Sequence, residues 1–189
     1  MTKSIILVGV GGQGTLVASR ILGNLFLSRG FDVKVSEVHG MSQRGGSVVT
    51  YVKYGDKVYS PVVEKGEADI IVSFEQMEAA RWISFLKKGG KLITNTQKLL
   101  PMPVIIGDAE YNSDIIDKIK GMGINVTAVD ALALAERAGS VKAVNVVLMG
   151  VLSNTIEIEK EAWQKALEEC VPKKALEINI KAFAYGKEV

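Results

Sequence analysis

The chain is short of several things, and each shortage removes a class of function. Of its 189 residues, one is cysteine and one is histidine. Cys170 alone forms no internal disulfide, holds no iron–sulfur cluster and builds no cysteine zinc site. Set among Leu167, Glu169, Val171 and Pro172, it reads as an inert, at least partly buried thiol at the end of a helix. The 23 lysines and arginines face 21 acidic residues and nowhere gather into a dense run, which argues against a dedicated nucleic-acid binder. No apolar run approaches membrane-spanning length, and the first one, Ser4 to Val10, is too short and too glycine-terminated for a signal peptide. A cytoplasmic protein with no membrane or nucleic-acid partner is the expectation. Also missing are H-E-x-x-H, the phosphate loop G-x-x-x-x-G-K-S/T and the nucleophile elbow G-x-S-x-G. No metal site is expected in the chain itself.

What is present is ordinary globular composition, 48% hydrophobic and 23% charged, at a length that suits one domain over residues 1–189. Ile5-Ile6-Leu7-Val8 is a continuous apolar run, as expected of a strand covered on both faces of a parallel sheet. A helix follows from about Gly12 to Ser28, with Ala18, Ile21, Leu22 and Leu25 on one face and Gly30 as terminator. Phe31 to Val38 then completes a strand–helix–strand unit, which implies a parallel pair. Ser47 to Tyr54 is rich in β-branched and aromatic residues, Gly55-Asp56 offers a turn, and Lys57 to Ser60 returns. The pattern predicts a β-hairpin inserted after the second strand, at a sheet edge or as a flap.

The α/β rhythm then resumes. Strands are predicted at Asp69–Phe74, Lys91–Asn95, Val104–Ile106 and Ile124–Val129. Helices are predicted from Gln76 to Leu86, from a Ser113 cap through Lys120, and over Ala131–Arg137 behind an Asp130 cap. The remainder reads as helical: Ala143–Ser153, apolar on nearly every side and therefore buried, then Glu159–Cys170 and Lys173–Tyr185. The fold class is α/β, a single Rossmann-like and mostly parallel sheet with helices on both faces and a helical C-terminal part.

Two stretches carry the chemistry. Gly9-Val10-Gly11-Gly12-Gln13-Gly14 satisfies G-x-G-x-x-G between a strand and a helix, where unpaired N–H groups and the helix dipole favour an anion. Glu37, at the end of the second strand, stands roughly where a dinucleotide site needs an acid for the ribose. The same glycines also serve plain tight packing of helix on strand, and Gln13 is unusual inside such a loop. The second stretch, Glu37-Val38-His39-Gly40-Met41-Ser42-Gln43-Arg44-Gly45-Gly46-Ser47, is dense in groups that bind or react. His39 and Glu37 are two apart and can make an acid–base pair, or His39 simply holds a backbone carbonyl. Arg44, followed by Gly45 and Gly46, can grip a phosphate or carboxylate, or make a surface salt bridge.

These two stretches, with Thr15 and Ala68-Asp69, resemble the gamma-type domain of the 2-oxoacid:ferredoxin oxidoreductases. The eleven-residue stretch is particularly similar to the beta subunit of the indolepyruvate branch. Glu75 to Arg81, Asn145 to Gly150, Val171-Pro172, Asn179, Ala182-Phe183 and Gly186 extend the likeness over nearly the whole chain. The resemblance implies a subunit of an enzyme that oxidatively decarboxylates 2-oxoacids with thiamine diphosphate, magnesium, coenzyme A and iron–sulfur clusters, and passes electrons to ferredoxin. It places thiamine diphosphate and the clusters in a large alpha subunit, with coenzyme A as co-substrate. The absence here of a cluster-forming cysteine set and of a G-D-G thiamine signature agrees with that division. On this reading Gly11, Gly12, Gln13, Gly14, Arg44, Gly45 and Gly46 are candidate anion or coenzyme contacts. Glu37, His39, Met41, Ser42 and Gln43 are candidate partner contacts, and His39 is the candidate catalytic group. Separated from its partner, such a chain is expected to expose an apolar patch and to be able to form a homodimer. Two alternatives stand beside it: a stand-alone NAD(P)-binding oxidoreductase, and a non-catalytic binding module of the same fold.

Overall fold

A computed structural model describes residues 1–37 and 41–189. Its centre is β1, Lys3–Val10, whose Ile5, Ile6, Leu7 and Val8 are wholly buried. Because side chains alternate along a strand, Ile5 and Leu7 serve one core and Ile6 and Val8 another. The apolar face of α1, Thr15–Ser28, packs into the first core through Ala18, Ile21, Leu22, Leu25 and Phe26.

The chain continues through β2 (Asp32–Glu37), β3 (Ser47–Gly55), β4 (Ala68–Ser73), α2 (Gln76–Trp82) and β5 (Leu86–Asn95). Then come α3 (Met102–Ile105), α4 (Ile115–Gly121), β6 (Asn125–Val129) and α5 (Ala131–Ala138). Three helices complete it: α6 (Val144–Ser153), α7 (Lys160–Cys170) and α8 (Leu176–Lys187). The six strands form one sheet in the order β2-β3-β1-β4-β5-β6. The pairs β1–β4, β4–β5 and β5–β6 are parallel, and both pairs made by β3 are antiparallel. Helices α1, α5, α6, α7 and α8 contribute to the core on one face, and α2 and α4 to the core on the other.

Three expectations are corrected here. There is no hairpin at Ser47–Ser60. Instead β3 lies inside the sheet, between β1 and β2, with Val10 opposite Ser47 and Glu37 opposite Thr50. Both of its hydrogen-bonding edges are therefore taken, and Lys57–Ser60 has no ladder to join. For the same reason β1 and β2 run in the same direction without pairing. Val104–Ile106 is also not a strand, because Pro101 and Pro103 supply no N–H to a ladder and preset a helical first turn. The result is the one-turn α3, with Ile105 and Ile106 left 62% exposed. Finally, α2 stops at Trp82, tightens into a 3₁₀ turn over Ile83–Phe85 and yields to β5. Between Ala68 and Ile70 on β4, β5 advances from Leu86 to Lys91, so the ladder is irregular across this stretch, which includes Gly89 with φ of 79°.

The helical end is bound by a close crossing. All ten residues of α6 are buried. A Cβ on Gly150 would lie 2.2 Å from the Phe183 carbonyl oxygen, and one on Gly186 would lie 2.0 Å from that of Val147. Only glycine lets α6 and α8 approach this closely.

Candidate functional site

In open α/β sheets, ligands sit beyond the carboxyl ends of the strands, where the strand order reverses. In this sheet that point lies between β1 and β4. Gln13 fills it. Its Oε1 accepts from Val10 N at 2.8 Å, and its Nε2 donates to the Phe74 carbonyl at 3.1 Å and to Gln97 Oε1 at 3.4 Å. Asn95, fully buried, sends Nδ2 to the same Phe74 carbonyl, while its Oδ1 accepts from Ala131 N. The side chain that looked odd inside a glycine loop is thus a plug joining β1 to β4 and to the segment after β5.

From Met41 to Gly46 the second stretch folds over the glycine turn as an arch. A 3₁₀ turn covers Met41–Gln43. Arg44 N donates to Met41 O at 3.0 Å and Gly46 N to Ser42 O at 3.0 Å. Two further bonds fasten arch to turn: Gly11 N donates to Gly46 O at 2.8 Å, and Gly45 N to Gly11 O at 3.2 Å. A Cβ on Gly11 would lie 2.3 Å from the Gln43 carbonyl carbon and the Ser42 carbonyl oxygen. In a dinucleotide site the second glycine leaves room for pyrophosphate; in this chain it leaves room for the arch. Gly9 and Gly14 are likewise accounted for by packing. A Cβ would meet Phe74 Cβ at 2.9 Å from Gly9, and Asn145 Nδ2 at 2.8 Å from Gly14. Asn145 Nδ2 also donates to the Gly14 carbonyl.

Glu37 is placed away from the turn. Since β3 intervenes, it stands two strand spacings, about 10 Å, from β1, and its Oε1 accepts from Ser19 Oγ at 2.6 Å. It lines a separate shallow groove with Ser19, Arg20 and Asn24. Beside the glycines is a small cleft of about 250 Å³, lined by Gly12, Gly14, Thr15, Gln43 and Thr50 among others. The N-terminus of α1 has no side-chain cap, and the position of a Gly12 Cβ is open space. This volume lies below the range of whole-cofactor pockets and suits the anionic end of a larger molecule. Met41, 78% exposed, and Arg44 face outward. Among the described residues Arg44 makes no ion pair. Ser42, Gln43, Gly45 and Gly46, candidate partner and anion contacts, form part of the arch, while His39 lies outside the described residues.

The motif reading assigned no roles to the carboxylates of α2. Glu75, 1% exposed, caps the helix through Met77 N and Glu78 N, and takes the Tyr111 hydroxyl at 2.5 Å. Burial, followed by that bond to Glu75, pushes the Tyr111 phenol well above its ordinary value. Glu78, 5% exposed, accepts from Ser47 Oγ and pairs with Arg81 Nε at 3.2 Å. Burial raises its pKa. The sequence signal for this pair is Glu75-x-x-Glu78 at a helix start, a spacing that puts two acids on one turn.

The residues present do not fit an iron–sulfur cluster. Cys170, the only cysteine, is half-buried, accepts from Asn24 Nδ2 at 3.3 Å, and has its thiol pKa raised by burial. Among the described residues no group of three or more metal-ligating side chains converges. Among them, too, no helix is long and apolar enough to cross a membrane.

An α/β protein whose glycine turn is roofed by its own arch is the class that fold and site define. Residues 4–189 match the family model of the pyruvate ferredoxin/flavodoxin oxidoreductases, and the chain belongs to that family. It is 45% identical to indolepyruvate oxidoreductase subunit IorB of Pyrococcus horikoshii and 44% identical to the subunit of that name from Thermococcus kodakarensis. Each match covers 97% of this chain and 93% of the relative. Among solved structures, the gamma subunit of a keto/oxoacid ferredoxin oxidoreductase from Geobacter sulfurreducens shares the fold with a TM-score of 0.73 at 24% identity. That match covers 98% of this chain and 96% of the other. The stand-alone dinucleotide alternative is not favoured by these likenesses or by the occupied turn.

Proposed function

We propose that this chain is the small, cluster-free subunit of a 2-oxoacid:ferredoxin oxidoreductase acting on aryl pyruvates, with indolepyruvate as the leading substrate. It assists an oxidative decarboxylation whose thiamine diphosphate, magnesium and iron–sulfur clusters reside in a larger partner. Residues 1–189 act as one unit in the cytoplasm, and an isolated copy is able to self-associate. The observation that carries this reading is the arch. Its inner surface is engaged by the glycine turn, while Met41 and Arg44 are turned outward beyond the carboxyl end of β1. The surface is half of a site, and a second chain completes it. Leu100, Met102, Ile105 and Ile106, each more than half exposed, add an apolar area on the segment that follows β5. Such an area suits burial against a partner. The names of the most similar relatives supply the substrate class.

Arg44 is the outward cation suited to the carboxylate of a 2-oxoacid or a phosphate of coenzyme A. The cleft beside Gly12 and Thr15 suits a second anionic contact. His39 remains the candidate proton-transfer group. The test is co-expression with a candidate large subunit, followed by arylpyruvate-dependent reduction of ferredoxin. Activity that needs both chains, and that falls on Arg44→Ala, is the expected result. A large subunit that is fully active alone and never binds this chain would overturn the reading.

A further inference from the structure

A cap and a first-turn acid stabilise α2, yet neither needs to be buried as deeply as Glu75 and Glu78 are. Each loses hydration on burial, and each repels the other. One oxygen of each serves the helix itself, Glu75 Oε2 as its cap and Glu78 Oε1 with Arg81, and the other reaches a segment that flanks the site. Through Oε1, Glu75 takes Tyr111 Oη and Leu99 N, and so holds the segment that carries the exposed apolar residues. Glu78 takes Ser47 Oγ, and Ser47 is the residue where the arch enters β3. Ser47 is itself exposed, yet it reaches a carboxylate that is 5% exposed. Immediately before it come Gly45, with φ of 90°, and Gly46, the two residues least able to fix a chain direction by themselves.

We propose that Glu78 is a positioning residue: through Ser47 it clamps the downstream end of the arch, so that Met41 and Arg44 are presented outward in one fixed geometry. The proposal rests on the subunit reading only for its kinetic consequence. Its structural consequence can be read in the isolated chain. Arg81 holds the other oxygen of Glu78 at 3.2 Å, which leaves Oε2 aimed at Ser47. Glu75, a turn away, adds a like charge that repels Glu78.

The test uses Ser47→Ala, Ser47→Thr and Glu78→Met in the full chain, alone and with the large subunit. Hydrogen exchange of residues 41–46 and thermal unfolding are measured on the chain alone, and steady-state kinetics with an arylpyruvate on the complex. E78M, which removes the buried charge, is expected to unfold at or above the wild-type temperature, and S47A, which leaves the buried Glu78 oxygen without its donor, somewhat below it. Their arch amides are expected to exchange about tenfold faster, the effect of losing one charge-assisted hydrogen bond. In the complex the oxoacid KM rises about tenfold with kcat little changed, and S47T restores both exchange and KM. A merely structural role would lower the unfolding temperature of E78M as well and leave the KM of the folded fraction alone. That pattern, or unchanged arch exchange in both S47A and E78M, would overturn the proposal. An inactive wild-type complex would sink the subunit reading instead, and exchange in the isolated chain would still decide the clamp in either direction.

Discussion

Replacing Gly11 by alanine is the sharpest perturbation of the arch. The added methyl would sit 2.3 Å from backbone atoms of Ser42 and Gln43, whereas ordinary contact begins at 3.4 Å. The neighbours are main chain and have no rotamer to give, so the arch must lift by about 1 Å. Lifting it strains or breaks the Gly11 N to Gly46 O and Gly45 N to Gly11 O bonds, each contributing about 0.5–1.5 kcal/mol. Leaving it in place costs about 1–3 kcal/mol of overpacking. Either route destabilises by about 2 kcal/mol. Gly12→Ala is the control. Nothing lies within 4 Å of its Cβ position, but its φ of 101° costs a side chain about 1–2 kcal/mol. Urea unfolding should therefore show similar losses for the two variants. Hydrogen exchange should separate them, with the amides of Arg44, Gly45 and Gly46 losing protection in G11A and keeping it in G12A. If Gly11 were instead clear for a ligand's pyrophosphate, G11A would be silent in the free chain. Wild-type stability together with wild-type exchange over 41–46 in G11A would refute the roofed-turn argument.

Other perturbations probe the surrounding scaffold. Gln13→Ala leaves Val10 N without its side-chain acceptor and Phe74 O without one of its donors, so urea unfolding should show a loss of about 1–3 kcal/mol. Gly186→Ala drives a methyl to 2.0 Å from Val147 O at the α6–α8 crossing. A loss of about 3 kcal/mol or more, or no soluble protein, is expected by the same assay. Tyr111 has its pKa raised by burial and by the bond to Glu75. Its contribution to stability is fully present below pH about 10 and is lost as pH rises beyond that. Tyr111→Phe should thus remove part of the alkaline fall in a pH series of unfolding midpoints, and an unchanged slope would contradict the bond. Glu78 also has a raised pKa. It contributes most below pH about 4.5 and progressively less as pH rises, so Glu78→Gln should flatten that decline, measured by the same series.

Most of the fold was legible because local patterning and tertiary structure agree. The fully apolar Ile5–Val8, the amphipathic run behind Gly14 and the all-buried Val144–Ser153 each admit one placement. The Asp130 cap was visible and is made, with its side chain accepting from Ala133 N. The errors fall where neighbours in space outvote neighbours in sequence. Ser47–Gly55 is strand-like on any reading, but whether it pairs with Lys57–Ser60 or slides between two earlier strands is a choice of edges that no local pattern encodes. At Val104–Ile106 the apolar run is strand-like, and the neighbouring Pro101 and Pro103 override it in favour of a helical turn.

The glycine turn shows the same limit at the level of chemistry. G-x-G-x-x-G records that three backbone positions have something pressed against them, and it does not record what presses. In this chain the agents are Gln13 and Phe74 at Gly9, the Ser42–Gln43 backbone at Gly11, and Asn145 at Gly14. All of them are internal. The acid expected to complete a nucleotide site, Glu37, is displaced by one inserted strand and bonded to Ser19. The adjoining eleven-residue stretch turned out to be more informative, because a segment with that many polar groups has to face something. From Met41 to Gly46 its backbone faces the turn, and the exposed side chains of Met41 and Arg44 face away. A motif that binds nucleotides in other proteins therefore serves here as the base on which an outward-facing surface is built, and on the proposed reading a partner chain completes the chemistry of that surface.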